Sequence, residues 1–253
     1  MTREQKAQLR GDLFRHLDGI VTAPTAYALH IRGVLQHLLE VESTSLAQLT
    51  EAFKANEGYL NVALHTLAAQ GWLEYEILDS ENITIKTNQR SKPAFELVPL
   101  YADVVSLMKL SGRYHPRKFE LEPFRVMETV FAKFKDGYGL TESAAPNPLK
   151  NQVLSHIEGV LVGPTVVALG MSGMFHKYFM EASFHPGEFH EDAASFGKLL
   201  DMLVHLGWFE KNHETYGFTE KGLFFARRAS AYGVTGHHCI LKLTYYHVVC
   251  MQK

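Results

Sequence analysis

From Tyr27 onward the apolar residues Tyr27, Ala28, Ile31, Val34, Leu35, Leu38 and Leu39 return at helical spacing, as one buried stripe of a helix does. Pro24 precedes the stripe. Proline suits a first helical turn, where its missing N–H leaves no bond unmade, so the spacing predicts a helix opening at Pro24. A second helix is predicted near Ser45, with Gln48 three residues on as its capping-box partner and Leu46, Leu49 and Phe53 on its apolar side. A third runs from about Asn56 to Gln70 and stops at Gly71, the residue type that takes the position after a helix end. The β-leaning segments WLEYEIL and NITIKT, separated by DSE, read as a hairpin.

The same pattern returns later in the chain. HLDGIVTAPTAYAL, His16 to Leu29, aligns without a gap with HIEGVLVGPTVVAL, His156 to Leu169, at an offset of 140 residues, with six of fourteen positions identical. LHTLAAQGWLE, Leu64 to Glu74, aligns with LDMLVHLGWFE, Leu200 to Glu210, at an offset of 136. The structural signature of the repeat is therefore Gly19, Pro24, Thr25, Gly71 and Trp72 in the first copy, and Gly159, Pro164, Thr165, Gly207 and Trp208 in the second. Gly33 and Gly173 correspond as well. A repeat of this length is one structural unit used twice. The second copy ends in WFEKNHETYGFTEKGLFFARRA, read as a strand, a turn at Asn212 to Glu214, a second strand and a helix from Thr219.

Three helices followed by a two-stranded wing make a winged helix. The expected fold is mainly α with small β wings: two repeated winged-helix units joined by a helical bridge. Unit 1 spans 1–90. The bridge and a polar linker, DGYGLTESAAPNP, span 91–150, unit 2 spans 151–235, and an atypical tail occupies 236–253.

Composition narrows the function classes. Net charge is −2 and the apolar fraction 46%, so no global basic field draws the chain to nucleic acid or anionic lipid. No apolar run reaches the length of a spanning helix, and the charged start has no secretory h-region. The two cysteines, Cys239 and Cys250, both lie in the tail, which fits a reducing cytoplasm. A winged helix that reads DNA needs Lys or Arg on its third helix to hold phosphates. NEGYLNVALHTLAAQ has neither and carries Glu57, while GEFHEDAASFGKLLDMLVHL sets four acids against Lys198. The expectation is no nucleic acid and no membrane. On the surface of Asn56 to Gln70, apolar and buried character would favour a lid, and basic and exposed character a regulator.

The run DGIVTAPTAYAL, the apolar helix after it and LHTLAAQGWLE resemble the N-terminal helical region of certain S-adenosylmethionine (SAM)-dependent methyltransferases. The doubled arrangement is similar to the methyltransferase region that opens the loading modules of the saxitoxin and apratoxin polyketide-type synthases. The resemblance covers about residues 12 to 235 and includes no catalytic residue. It implies a non-catalytic lid and dimerisation region over a catalytic core, with that core or a homo-oligomer as partner and an acyl-carrier-bound substrate reached through the core. SAM is expected only with the core. Such a core needs a Gly-rich turn after a strand, and Gly170-Met171-Ser172-Gly173 follows a helix pattern instead. The chain is thus expected to be a lid without its enzyme, from a truncated, frameshifted or split gene, with no catalytic, cofactor or metal residues. The alternatives are a winged-helix transcriptional regulator or small-ligand sensor and, last, a self-contained enzyme.

Other candidates have plainer readings beside the chemical one. His237, His238, Cys239, His247 and Cys250 are zinc-type ligands in a spacing that matches no strong pattern. His185, Glu188, His190 and Glu191 precede a helix, where acids are expected anyway. FHKYFMEASF reads as core more readily than as pocket lining. His16 with Asp18 and His156 with Glu158 would be acid–base pairs on a functional reading. On a helix, positions two apart face different ways, and the plainer reading is a repeated helix-end hydrogen bond.

Overall fold

The computed structural model describes residues 1–78, 82–113, 118–139, 147–171, 175, 183–229 and 232. The described chain is mainly α-helical with small antiparallel wings. It opens with α1, Arg3–Ile31, whose start is fixed by a capping box: the Thr2 hydroxyl accepts from Gln5 N while the Gln5 side chain accepts from Thr2 N. Pro24 therefore lies inside α1 rather than in its first turn, and Pro164 likewise lies inside α8, Pro148–Met171. A proline there leaves the carbonyl four residues earlier without its helical donor. Both helices nonetheless run on through it, carried by their burial against each other.

Gly33, at φ +77, ends the run that the apolar stripe suggested was continuous, and α2, Val34–Val41, starts in a new direction. A short strand β1, Ser43–Ser45, follows, then α3, Leu46–Phe53, capped by Ser45 and Gln48, and α4, Glu57–Ala69, capped by Asn56. The wing is β2, Glu74–Ile77, with β3, Ile83–Lys86. The sheet order is β1-β3-β2, all antiparallel, with Thr44 and Tyr75 both opposite Ile85. The bridge comprises α5, Ser91–Leu97, α6, Ala102–Lys109, and α7, Glu122–Lys135. After α8 come α9, Ala193–His205, the hairpin of β4, Phe209–Asn212, and β5, Thr215–Phe218, and α10, Glu220–Ala226.

The two copies end their third helices in the same turn. Gly71 N donates to Ala68 O and Trp72 N to Leu67 O; Gly207 N donates to Val204 O and Trp208 N to Leu203 O. This is a Schellman closure, with φ +71 and +74 at the two glycines. Each following tryptophan is fully buried, and its carbonyl accepts from a hydroxyl, Ser91 Oγ on Trp72 O and Thr219 Oγ1 on Trp208 O. One core runs through both halves, from Leu38, Leu60 and Leu64 to Val153, Ile157, Leu161, Leu200 and Phe225. No described helix is long and apolar enough to cross a membrane.

Candidate functional site

Among the described residues α1 and α8 make the most extensive helix packing, and they cross at two glycines. A Cβ on Gly19 would fall within the His156 backbone, and a Cβ on Gly159 within that of His16. The crossing is reciprocal, as in an isologous dimer interface, but both sides belong to one chain. Thr25 and Thr165 are buried along the same helices.

Reciprocity extends to the histidines. His16, from the first copy, enters the second: Nδ1 lies 2.8 Å from Tyr232 Oη and the ring stacks on Phe225 at 5.5 Å. His156, from the second copy, enters the first: Nδ1 lies 2.6 Å from Tyr101 Oη, and Trp72 stands 6.2 Å away. Both histidines sit mid-helix, so the helix-end reading is overturned. His16 is 2% exposed and His156 0%.

The acids pair across the copies, not within them. His16 Nε2 is 3.5 Å from Glu158, whose carboxylate also has Lys221 Nζ at 3.9 Å. Burial alone would raise the Glu158 carboxyl. The interaction with His16, with Lys221 and His205 behind it, outweighs it and holds the group below its ordinary value. The mirror pair is not formed: Asp18 lies at an exposed position. Asp18, the counterpart of Glu158, is raised by partial desolvation and held by Gln70 instead. His156 Nε2 has no hydrogen-bond partner among the described residues. Burial, with His16 and Arg15 nearby, pushes His156 down to about 3, so this ring stays neutral. Burial likewise raises Tyr101 and Tyr232, keeping both phenols protonated.

A Tyr–His–Glu chain has the groups of an acid–base relay, but a general base must reach the proton it takes. With Tyr101 and Tyr232 also fully buried, these groups lock the crossing. The tryptophans show the same asymmetry. Trp72 Nε1 donates to Gln152 Oε1 at 3.2 Å, while Trp208 Nε1 has no partner among the described residues.

The remaining candidates resolve locally. His185 and Glu188 form a capping box on a single 3-10 turn, Pro186–Glu188, and His190 packs edge-on to Phe119. No group of His, Cys, Asp and Glu among the described residues could hold a metal. Phe175 and Phe184 are buried and Ser183 is exposed; residues 176–182, Gly173, the linker core at 140–146 and the His/Cys tail lie outside the described residues. Gly170 sits within α8, not after a strand.

The third helices differ in what meets their outer faces. The bridge touches α9 at three points without covering it: Phe131 of α7 meets His205 edge-on at 5.5 Å, Phe119 meets Phe196 at 6.3 Å, and Lys198 Nζ lies 3.3 Å from Glu128, while Lys198 and His205 stay exposed. The counterparts on α4, at the offset of 136, are Ala69, Leu60 and Val62. Val62 is 67% exposed. The outer residues of α4 include Val62, His65 and Ala69, and its lone charge is Glu57.

Sequence reasoning missed Tyr101, Tyr232 and Phe225. The signal was the pair of histidines at one offset with acids two residues on, read within each copy when it operates between them.

Family profiles match both halves of the chain. That of the AprA N-terminal domain matches residues 9–75, and that of the AprA winged helix domain matches residues 158–239. No curated protein matches. The chain thus combines an AprA-like N-terminal region with an AprA-type winged-helix domain.

Proposed function

We propose that the chain is a non-catalytic lid and interaction region for a SAM-dependent methyltransferase core, acting in polyketide-type biosynthesis in the cytoplasm. The methyl donor and the catalytic groups belong to that core, and an acyl-carrier-bound substrate would be reached through it. The observation that carries the reading is the outer face of α4. It is apolar and exposed at Val62 and carries no Lys or Arg, whereas the corresponding position of the second copy is Lys198, paired with Glu128 of α7. DNA readers need cations there, whereas a protein partner needs an apolar anchor. Support also comes from the two AprA domain matches and from the burial of the His–Tyr groups, which keeps them from any substrate.

The test uses the catalytic core of an AprA-like methyltransferase freed of its own N-terminal region. Calorimetric titration of the full chain into that core should give saturable binding, and Val62→Glu should weaken it roughly tenfold or more, about 1.4 kcal/mol. The chain alone should show no saturable uptake of SAM. Absence of binding to the core, or micromolar SAM binding by the chain itself, would overturn the reading.

A further inference from the structure

The first turns of α1 run beside α10, and a cavity of about 680 Å³ opens between them. Its walls carry Lys6 and Arg10 from α1 and Arg227 and Arg228 from the end of α10, with Leu223 and Phe224 also lining it. These four side-chain cations and the Met1 ammonium face one carboxylate, Glu220, which the ammonium already pairs at 3.2 Å, on a chain whose net charge is −2. None of the four side chains has an ion-pair partner among the described residues. Arg228 is already positioned: its Nη1 donates to Phe224 O at 2.9 Å and its guanidinium lies 3.7 Å from the centroid of the Phe224 ring.

Helix chemistry explains only part of this set. Cations suit the C-terminus of α10, where carbonyls lack donors. Lys6 stands near the opposite kind of helix end, where the macrodipole favours acids. Residues 233–253, which follow α10 in sequence, contain no Asp or Glu to neutralise the cluster.

We infer that this groove binds a small molecule bearing a phosphate or pyrophosphate group. With the Met1 ammonium answering Glu220, the four side-chain cations are left over and suit a dianion or higher. Guanidinium forks match phosphate oxygens two at a time. The volume lies in the range of small-molecule sites, which pair an apolar lining with a few convergent polar groups. Leu223 gives such a ligand's carbon portion an apolar contact. The phosphate could belong to a soluble organophosphate or to a lipid headgroup.

Pyrophosphate and phosphatidic acid test the two sources. Calorimetry of the full chain at low salt should show saturable, sub-millimolar binding of pyrophosphate. Arg10→Gln with Arg227→Gln, both at exposed positions, should weaken it at least roughly tenfold while the thermal midpoint stays unchanged. If that pair lowers the midpoint, Lys6→Gln, also exposed, replaces it, with a weakening of severalfold expected. Binding only to phosphatidylcholine vesicles containing phosphatidic acid, lost in the same variants, supports the groove with a lipid source. Binding that survives the substitutions overturns the inference. So does binding to neither probe, or to duplex DNA alone.

Discussion

Replacing Gly19 by alanine should force α1 and α8 apart. The added Cβ would occupy the space of the His156 backbone, which unlike a side-chain tip has no rotamer to retreat into. Restoring an ordinary 3.4–4 Å contact requires a separation of about 1 Å or more. Alanine gains about 1 kcal/mol of helix propensity over glycine. Against that, forced overpacking costs about 1–3 kcal/mol, and parting the helices also loosens the packing around two buried histidines. We expect a net loss of about 1–2 kcal/mol for Gly19→Ala, and the same for Gly159→Ala. The chain carries its own controls. At Gly11 a Cβ would meet only the Arg15 guanidinium, 3.6 Å away, and at Gly163 only Ile20 Cδ1 at 3.6 Å and Tyr232 Cδ1 at 3.8 Å. Gly11→Ala should therefore stabilise by about 0.5–1 kcal/mol, and Gly163→Ala should be tolerated. Urea titrations followed by far-ultraviolet circular dichroism would rank the four. If Gly19→Ala and Gly159→Ala gained stability as Gly11→Ala does, the close crossing would be refuted.

The acid limb of stability should report His156. Its folded value of about 3 lies below the ordinary 6.5, so over that window the unfolded chain holds the extra proton. Stability should fall as pH drops from about 6.5 towards about 3, by up to ~1.4 kcal/mol per unit, and His156→Gln should flatten the slope. An unchanged slope would assign it to other groups. Asp18→Glu should extend the side chain by a methylene and bring a carboxylate towards His156 Nε2. The expected readout is an upward shift of that histidine's NMR titration; an unmoved titration would mean that the side chain stays with Gln70. Gln152→Ala should leave Trp72 Nε1 without its acceptor and cost about 1–3 kcal/mol, whereas the same loss already exists in the native state at Trp208. Equal stability of Gln152→Ala and the parent would show that the bond contributes nothing net.

What was legible in the sequence was local. The Ser45–Gln48 box, the Gly71 and Gly207 closures and both hairpins are written within a few residues, and the structure shows them where the pattern indicates. The start of α1 was equally local, in Thr2 and Gln5, but the charged stretch after it has little apolar periodicity and the prolines drew the boundary inward. Strand β1 is three polar residues, ordered only by pairing with β3 some forty positions on. The histidine contacts were out of reach for a further reason. Periodicity reports which residues share a face, not which other copy of the motif that face will meet. The change from Asp18 to Glu158 reads as a conservative swap, yet of the two acids it is Glu158 that meets the other copy's histidine.

The exchange of histidines between halves also constrains the order in which the chain can fold as it is synthesised. His16 closes on Tyr232, 216 residues later. The first half therefore cannot complete its core when its own sequence has emerged, because the cover for α1 has yet to be translated. Contacts of such long separation form late and slowly, and in the meantime α1 presents the apolar flank that α8 will bury. A nascent chain in that state invites either a chaperone or a second nascent copy, whose α8 could fill the place of the missing one. Joining both partners in one polypeptide answers that hazard kinetically: once α8 emerges, it competes at the high effective concentration of a tethered segment, and the swap with a neighbour loses.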